Sequence, residues 1–314
     1  MKALQFNCNH DLKQLKLARC WLSGMIVSAI VSIPLGAIAQ STGSYHSNSP
    51  MTTTSPTATA TSAQSAVENF RSGNITRAVQ QWNQEIRAGN NVINNLFNRS
   101  QAYILLEQYD SALQDVNTII ALEGSAASAE VLLVQGIALS NLNQLAQAID
   151  SFNQAERRQP SVLVYSNRAI AYQRTGQFQA ALADLTTAVE LLPTAINRLN
   201  LANLHIQMGE FASAVEGMDQ LITADASFFP AYLSRGIAHY HLDQHEAAVR
   251  DLLYTLTASP SQPDARYYAG LSLEKLNYRE EASQNLIMAA DLYLQQNRSD
   301  SYHQVLDKMA ELGL

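Results

Sequence analysis

Three histidines crowd one stretch of the chain, His239, His241 and His245 in HYHLDQH. On one continuous helix His241 and His245 would stand four residues apart on the same face, a spacing that suits a metal ion. The repeat pattern described below, however, puts a turn between them, where helical spacing fails. The same pattern places His239 and His245 at aromatic packing positions. Packing is the reading adopted, and a metal-dependent activity at His239, His241 and His245 is the alternative. His205 has no neighbouring ligand in sequence. The chain has no Gly-rich phosphate loop, no H-E-x-x-H and no nucleophile elbow. Adjacent carboxylates such as Glu280 and Glu281 point to different faces of a helix. No catalytic residue, metal site or cofactor is assigned, and the expectation is a non-catalytic protein.

The elements that hold these residues follow from composition. A chain of 314 residues with 47% apolar residues, only 13 Gly and 8 Pro, leans towards helix. With 27 acids against 20 bases, no overall basic surface recommends nucleic acid as a partner.

Residues 1–39 differ from the rest. Lys2, Lys13, Lys16 and Arg19 precede an apolar run from Trp21 to Ala39 that contains Pro34 and closes on Ala37-Ile38-Ala39. Basic, apolar and A-x-A in that order predict a secretory signal peptide cleaved before Gln40, hence an exported protein in a periplasm, lumen or extracellular space. The alternative is an uncleaved anchor, since the run has the length of a membrane span. Cleavage takes four bases and one acid, leaving 16 against 26, or −10. It also takes Cys8 and Cys20, so the mature chain has no thiol for disulfides, nucleophilic catalysis or thiolate metal sites. Residues 40–62 are rich in Ser, Thr, Ala and Pro, with little to bury, and read as a disordered spacer.

From there the chain repeats itself. Gly136, Leu139, Leu145, Ala148, Phe152, Ala155 and Pro160 recur at the same offsets as Ala169, Tyr172, Phe178, Ala181, Leu185, Ala188 and Pro193. Small residues at offsets 8 and 20, with bulky apolar ones between, suit two close-packed antiparallel helices. The pattern resembles the tetratricopeptide repeat family. About seven repeats start near 59, 93, 129, 162, 195, 229 and 263, filling 63–296. A helix over 297–314, capped by Ser299 and stopped by Gly313, would cover the apolar end of the stack. The resemblance implies an all-α superhelical solenoid of antiparallel helix pairs.

Repeats two, four and six carry Arg at offset 7 and Asp at offset 23, as Arg99/Asp115, Arg168/Asp184 and Arg235/Asp251. Their neighbours carry Gln135/Ser151, Leu201/Gly217 and Ala269/Asn285. The co-occurrence predicts three ion pairs within repeats and a duplicated unit of two repeats.

The resemblance also implies a partner, a protein or extended peptide lying in a concave groove and touching offsets 2, 5, 6, 9, 12 and 13 of each first helix. Those offsets hold Asn98 and Gln101 in repeat two, and Asn167, Ile170, Gln173 and Arg174 in repeat four. Repeat five supplies Asn200, Asn203 and Gln207, repeat six Tyr240 and His241, and repeat seven Tyr267. The surface is rich in amides, and Asn98, Asn167 and Asn200 share offset 6, where an amide can both donate to and accept from a peptide backbone. The family's carboxylate clamp needs bases at offsets 2, 5 and 6, which this groove lacks, so a receptor for chaperone tails is not expected. A membrane is implied only through the possible N-terminal anchor, and the sequence leaves the oligomeric state open.

Overall fold

The computed structural model describes residues 59–314, with side chains from Gln64 onward. The segment 1–39 and the spacer up to residue 58 lie outside the described residues. Among the described residues there are fifteen α-helices and no strand. Fourteen form seven antiparallel pairs: α1 (Thr59–Arg71) with α2 (Ile75–Arg87), α3 (Val92–Leu105) with α4 (Tyr109–Glu123), α5 (Ala129–Asn141) with α6 (Leu145–Arg158), and α7 (Val162–Arg174) with α8 (Phe178–Leu191). The series continues with α9 (Ala195–Gln207) and α10 (Phe211–Ala224), α11 (Phe229–His241) and α12 (His245–Ala258), then α13 (Pro263–Lys275) and α14 (Arg279–Gln295). A last helix, α15 (Ser299–Leu312), follows. Helix α1 opens four residues inside the stretch read as spacer.

Packing within a pair rests on size. Offset 20 is alanine in all seven pairs, from Ala78 to Ala282, and every one is fully buried. Offset 24 is always large and buried, as Trp82, Val116, Phe152, Leu185, Met218, Leu252 and Leu286. Opposite it, at offset 8, stands a small residue because nothing larger fits. A Cβ added to Gly136 would lie 2.5 Å from Cε1 of Phe152, and one added to Gly236 would lie 2.7 Å from Cγ of Leu252.

The turn inside each pair is three residues long, and its middle residue always has positive φ: Gly73, Glu107, Asn143, Gly176, Gly209, Asp243 and Asn277. The next N–H reaches back over five residues, as from Gln144 to the carbonyl of Leu139 at 2.9 Å. This is the left-handed helix ending that Gly and Asn favour. Glu107, at φ 59, is the one residue in the set that is neither Gly nor a short Asx side chain.

The described residues divide into two compact units, 59–188 and 189–314. In the first, a small cluster around Ala66, Phe70 and Trp82 precedes a larger one from Leu96 to Ala171. The second holds a cluster around Leu199 and Met218 and another from Leu233 to Val305. Successive first helices touch one another, α3 with α5 and α5 with α7 in one unit, α9 with α11 and α11 with α13 in the other. Successive second helices make no contact of comparable extent. The first helices therefore line the inner side of the stack within each unit.

Helix α15 closes the second unit. Val305 is fully buried, and Tyr302, Met309 and Leu312 pack beside it. Its N-cap is Arg298, not the expected Ser299, which is already helical. A guanidinium cannot cap a helix N-terminus; that of Arg298 is instead bound to Asp264 at 3.0 Å and lies over the ring of Tyr293. Gly313, left-handed at φ 65, ends the helix as read. No helix among the described residues is long and apolar enough to cross a membrane.

Candidate functional site

The three Arg–Asp pairs are present, and each reaches further than its own repeat. Arg168 donates through Nε and Nη2 to both oxygens of Asp184, at 2.8 and 2.7 Å, in the two-pronged geometry that suits a guanidinium. Its Nη1 turns to the preceding second helix, α6, and binds Asn153 at 2.7 Å and Glu156. Arg99 holds Asp115 on α4 and Asn83 on α2. Arg235 holds Asp251 on α12 and Asp219 on α10. Each arginine thus ties three helices. Asn83, Asn153 and Asp219 all occupy offset 25 of the preceding repeat, a signal that comparison across repeat boundaries would have found.

Repeat three builds the same junction without charge. Gln135 accepts from Ser151 at 2.9 Å and donates to Asn117 at 2.8 Å. The carboxylates beside the arginines are not alike. Burial pushes Asp115 and Asp184 above the usual carboxylate value against the pull of their arginines, whereas the hydrogen bond from Arg168 holds the more open Glu156 below it.

The residues expected to meet a partner divide three ways. Gln101 and Asn167 are at most 8% exposed, because the touching first helices close over them, and they do not present a free surface; Tyr267 is equally buried but lines the cleft described below. The amide of Asn167 donates to the carbonyl of Leu163 in its own helix at 2.8 Å. Arg174 is drawn to the end of α5, where it binds the Ser140 carbonyl and Asn143, a favourable place for a cation. Open to a partner are Asn98, Ile170, Gln173, Asn200 and Asn203, all half-buried, and the exposed Gln207. Asn203 accepts from Ser234 at 2.7 Å. Two amide atoms on these helices are buried with no hydrogen-bond partner, Oε1 of Gln101 and Nδ2 of Asn200.

The histidines do not converge. His239 bonds Gln244 at 2.6 Å, while His245 sits on the other helix with Nε2 3.7 Å from Asp243. His241 lies flat on Phe211, ring centroids 4.4 Å apart, and burial holds its pKa below the ordinary histidine value. Among the described residues no three His, Cys, Asp or Glu are grouped to hold a metal ion.

The second unit holds a concavity. Helix α15 packs on α14 but makes little contact with α13. The space left is an open cleft of about 700 Å³ among α11, α13 and α15. One wall is Tyr240, His241, Tyr267, Tyr268 and Leu271; the other is Asp300, His303, Gln304, Asp307, Lys308 and Glu311. Counted from Ser299, five of the α15 residues fall at offsets 2, 5, 6, 9 and 13, the groove offsets of the repeats. Reading the last helix only as a cover hid them.

A family model described as a tetratricopeptide repeat matches residues 133–196 and 199–263. Among solved structures, a tetratricopeptide repeat protein from Parabacteroides merdae ATCC 43184 is 15% identical and covers 78% of this chain and 99% of its own, with a TM-score of 0.62. TTC0263, a thermophilic TPR protein in Thermus thermophilus, is 19% identical, covering 57% and 97% at 0.47. YrrB, a TPR protein with an unusual peptide-binding site, is 15% identical, covering 59% and 97% at 0.46. The first shares the fold; the other two likenesses are too distant to carry an argument.

Proposed function

We propose that this tetratricopeptide repeat protein is a non-catalytic scaffold that holds an extended segment of another protein against its first helices. Repeats of this kind typically serve as protein-binding scaffolds. The observation that carries the reading here is the inner face of each unit. Within each unit, touching first helices present half-buried amides at recurring offsets, Asn98 in one unit and Asn200 and Asn203 in the other.

The scaffold works outside the cytoplasm on this proposal, after cleavage before Gln40; the apolar run Trp21–Ala39 supports export, or tethering if it is retained. A native pull-down through a C-terminal tag, read by mass spectrometry, tests both parts. The expected bait begins at Gln40 and carries one stoichiometric protein, lost when Asn200, Asn203 and Tyr240 are changed together to Ala. An intact N-terminus in the membrane fraction would favour the tethered form. Undiminished capture by the triple variant would move the site off the first helices.

A further inference from the structure

The cleft beside α15 differs in chemistry from the amide face. Its aromatic wall is continuous: Tyr240 and Tyr268 lie 5.3 Å apart between ring centroids, Tyr267 and Tyr268 5.2 Å, and His241 and Tyr268 5.8 Å. Burial raises the pKa of all three phenols, so the tyrosines of the wall are neutral at any ordinary pH. Facing it are three carboxylates, Asp300, Asp307 and Glu311, against a single ammonium, Lys308, tied to Glu311 at 2.9 Å. The three carboxylate residues are exposed and stand on the cleft side of a helix whose opposite side is anchored by Val305.

We infer that this cleft receives a lysine or arginine side chain from the bound segment, with the cation against the tyrosine rings and between the carboxylates. A ring face attracts a cation most strongly where water is partly excluded, and a carboxylate beside it fixes the charge. Lys308 lines the same cleft as Tyr240 and Tyr267, so one ammonium already stands in it in the free protein, held by Glu311. An incoming cation competes with it for Glu311.

The inference rests on the scaffold reading and adds the chemistry of the partner. The test uses the full chain and a fluorescent peptide, Ala-Ala-Arg-Ala-Ala-Arg-Ala, blocked at both ends, with a Glu-for-Arg control, followed by anisotropy at low salt. The arginine peptide should bind at least about fivefold tighter than the control, the size of one partly exposed ion pair. Asp307→Asn with Glu311→Gln should erase that margin, and Lys308→Gln should widen it by removing the resident competitor. Equal binding of the two peptides, or a margin untouched by the double variant, would overturn the inference. Capture of the natural partner separates the two levels. Loss in Asn200→Ala/Asn203→Ala with full retention in Asp307→Asn/Glu311→Gln would sink the cation cleft and leave the scaffold standing. Retention in both would sink the scaffold reading itself.

Discussion

Helices α7 and α15 both carry charge, and they spend it in opposite directions. On α7, Arg168 points into the stack, its side chain 9% exposed, with donors committed to Asp184, Asn153 and Glu156. On α15, Asp300, Asp307 and Glu311 point out over a cleft and contribute nothing to the packing that Val305 secures. Charge at offset 7 therefore holds repeats together, and charge on the last helix is available to a partner. The same contrast explains why the three arginines at offset 7 leave the inner face rich in amides: none of them is directed at a ligand.

The largest effect should come from breaking the inward network. Arg168→Ala strands Asp184 at a buried site and should cost about 3–5 kcal/mol, read from urea unfolding midpoints. Transplanting the neutral junction of repeat three, Arg168→Gln with Asp184→Ser, should cost less than half as much, because no buried charge is left alone. If the double variant is as unstable as the single one, the pair owes its effect to shape and not to charge. Glu107 tests the outward side of the comparison in a turn. This exposed acid stands at φ 59, so Glu107→Gln should be neutral while Glu107→Gly should stabilise by about 0.5–1 kcal/mol through the backbone.

A smaller effect concerns pH. Because burial keeps the pKa of His241 below its unfolded value, the unfolded chain binds the extra proton more readily. The stability His241 contributes is present above about pH 6.5 and is lost as pH falls through its folded value. His241→Phe, which keeps a ring on Phe211, should flatten the fall in unfolding midpoint between about pH 7 and 5. Smallest of all, Asp307→Asn with Glu311→Gln should leave the unfolding midpoint where it was. A clear loss there would make α15's acids structural and erase the contrast with α7.

How much of this could be read from residues alone depended on how local the cause was. The size rule at offsets 8 and 20 acts within one helix pair, so the register was legible, and first helices open within one residue of the counted starts. The Arg–Asp pairs were legible for the same reason, both partners lying in one repeat. Their second leg crosses a repeat boundary to Asn83, Asn153 and Asp219, and alignment of repeats onto one another discards that relation. The burial of Gln101 and Asn167 depends on how closely neighbouring first helices approach, which an offset does not encode. The acids of α15 stand at groove offsets, but this helix lies outside the seven repeats, so the repeat pattern does not point to it as a groove helix. Ser299 looked like a cap because of its type; the chain turns one residue earlier, at Arg298.

The central claim is that a partner lies on the first helices. It is tested most directly by placing a photo-crosslinking residue, one position at a time, at Gln173 and Gln207 on first helices and at Gln154 and Gln220 on exposed second-helix faces. Irradiation in the native cell, followed by mass spectrometry, should give one partner adduct from Gln173 and Gln207 and none from Gln154 and Gln220. An adduct confined to Gln154 or Gln220 would contradict the account, because it would put the partner on the second helices.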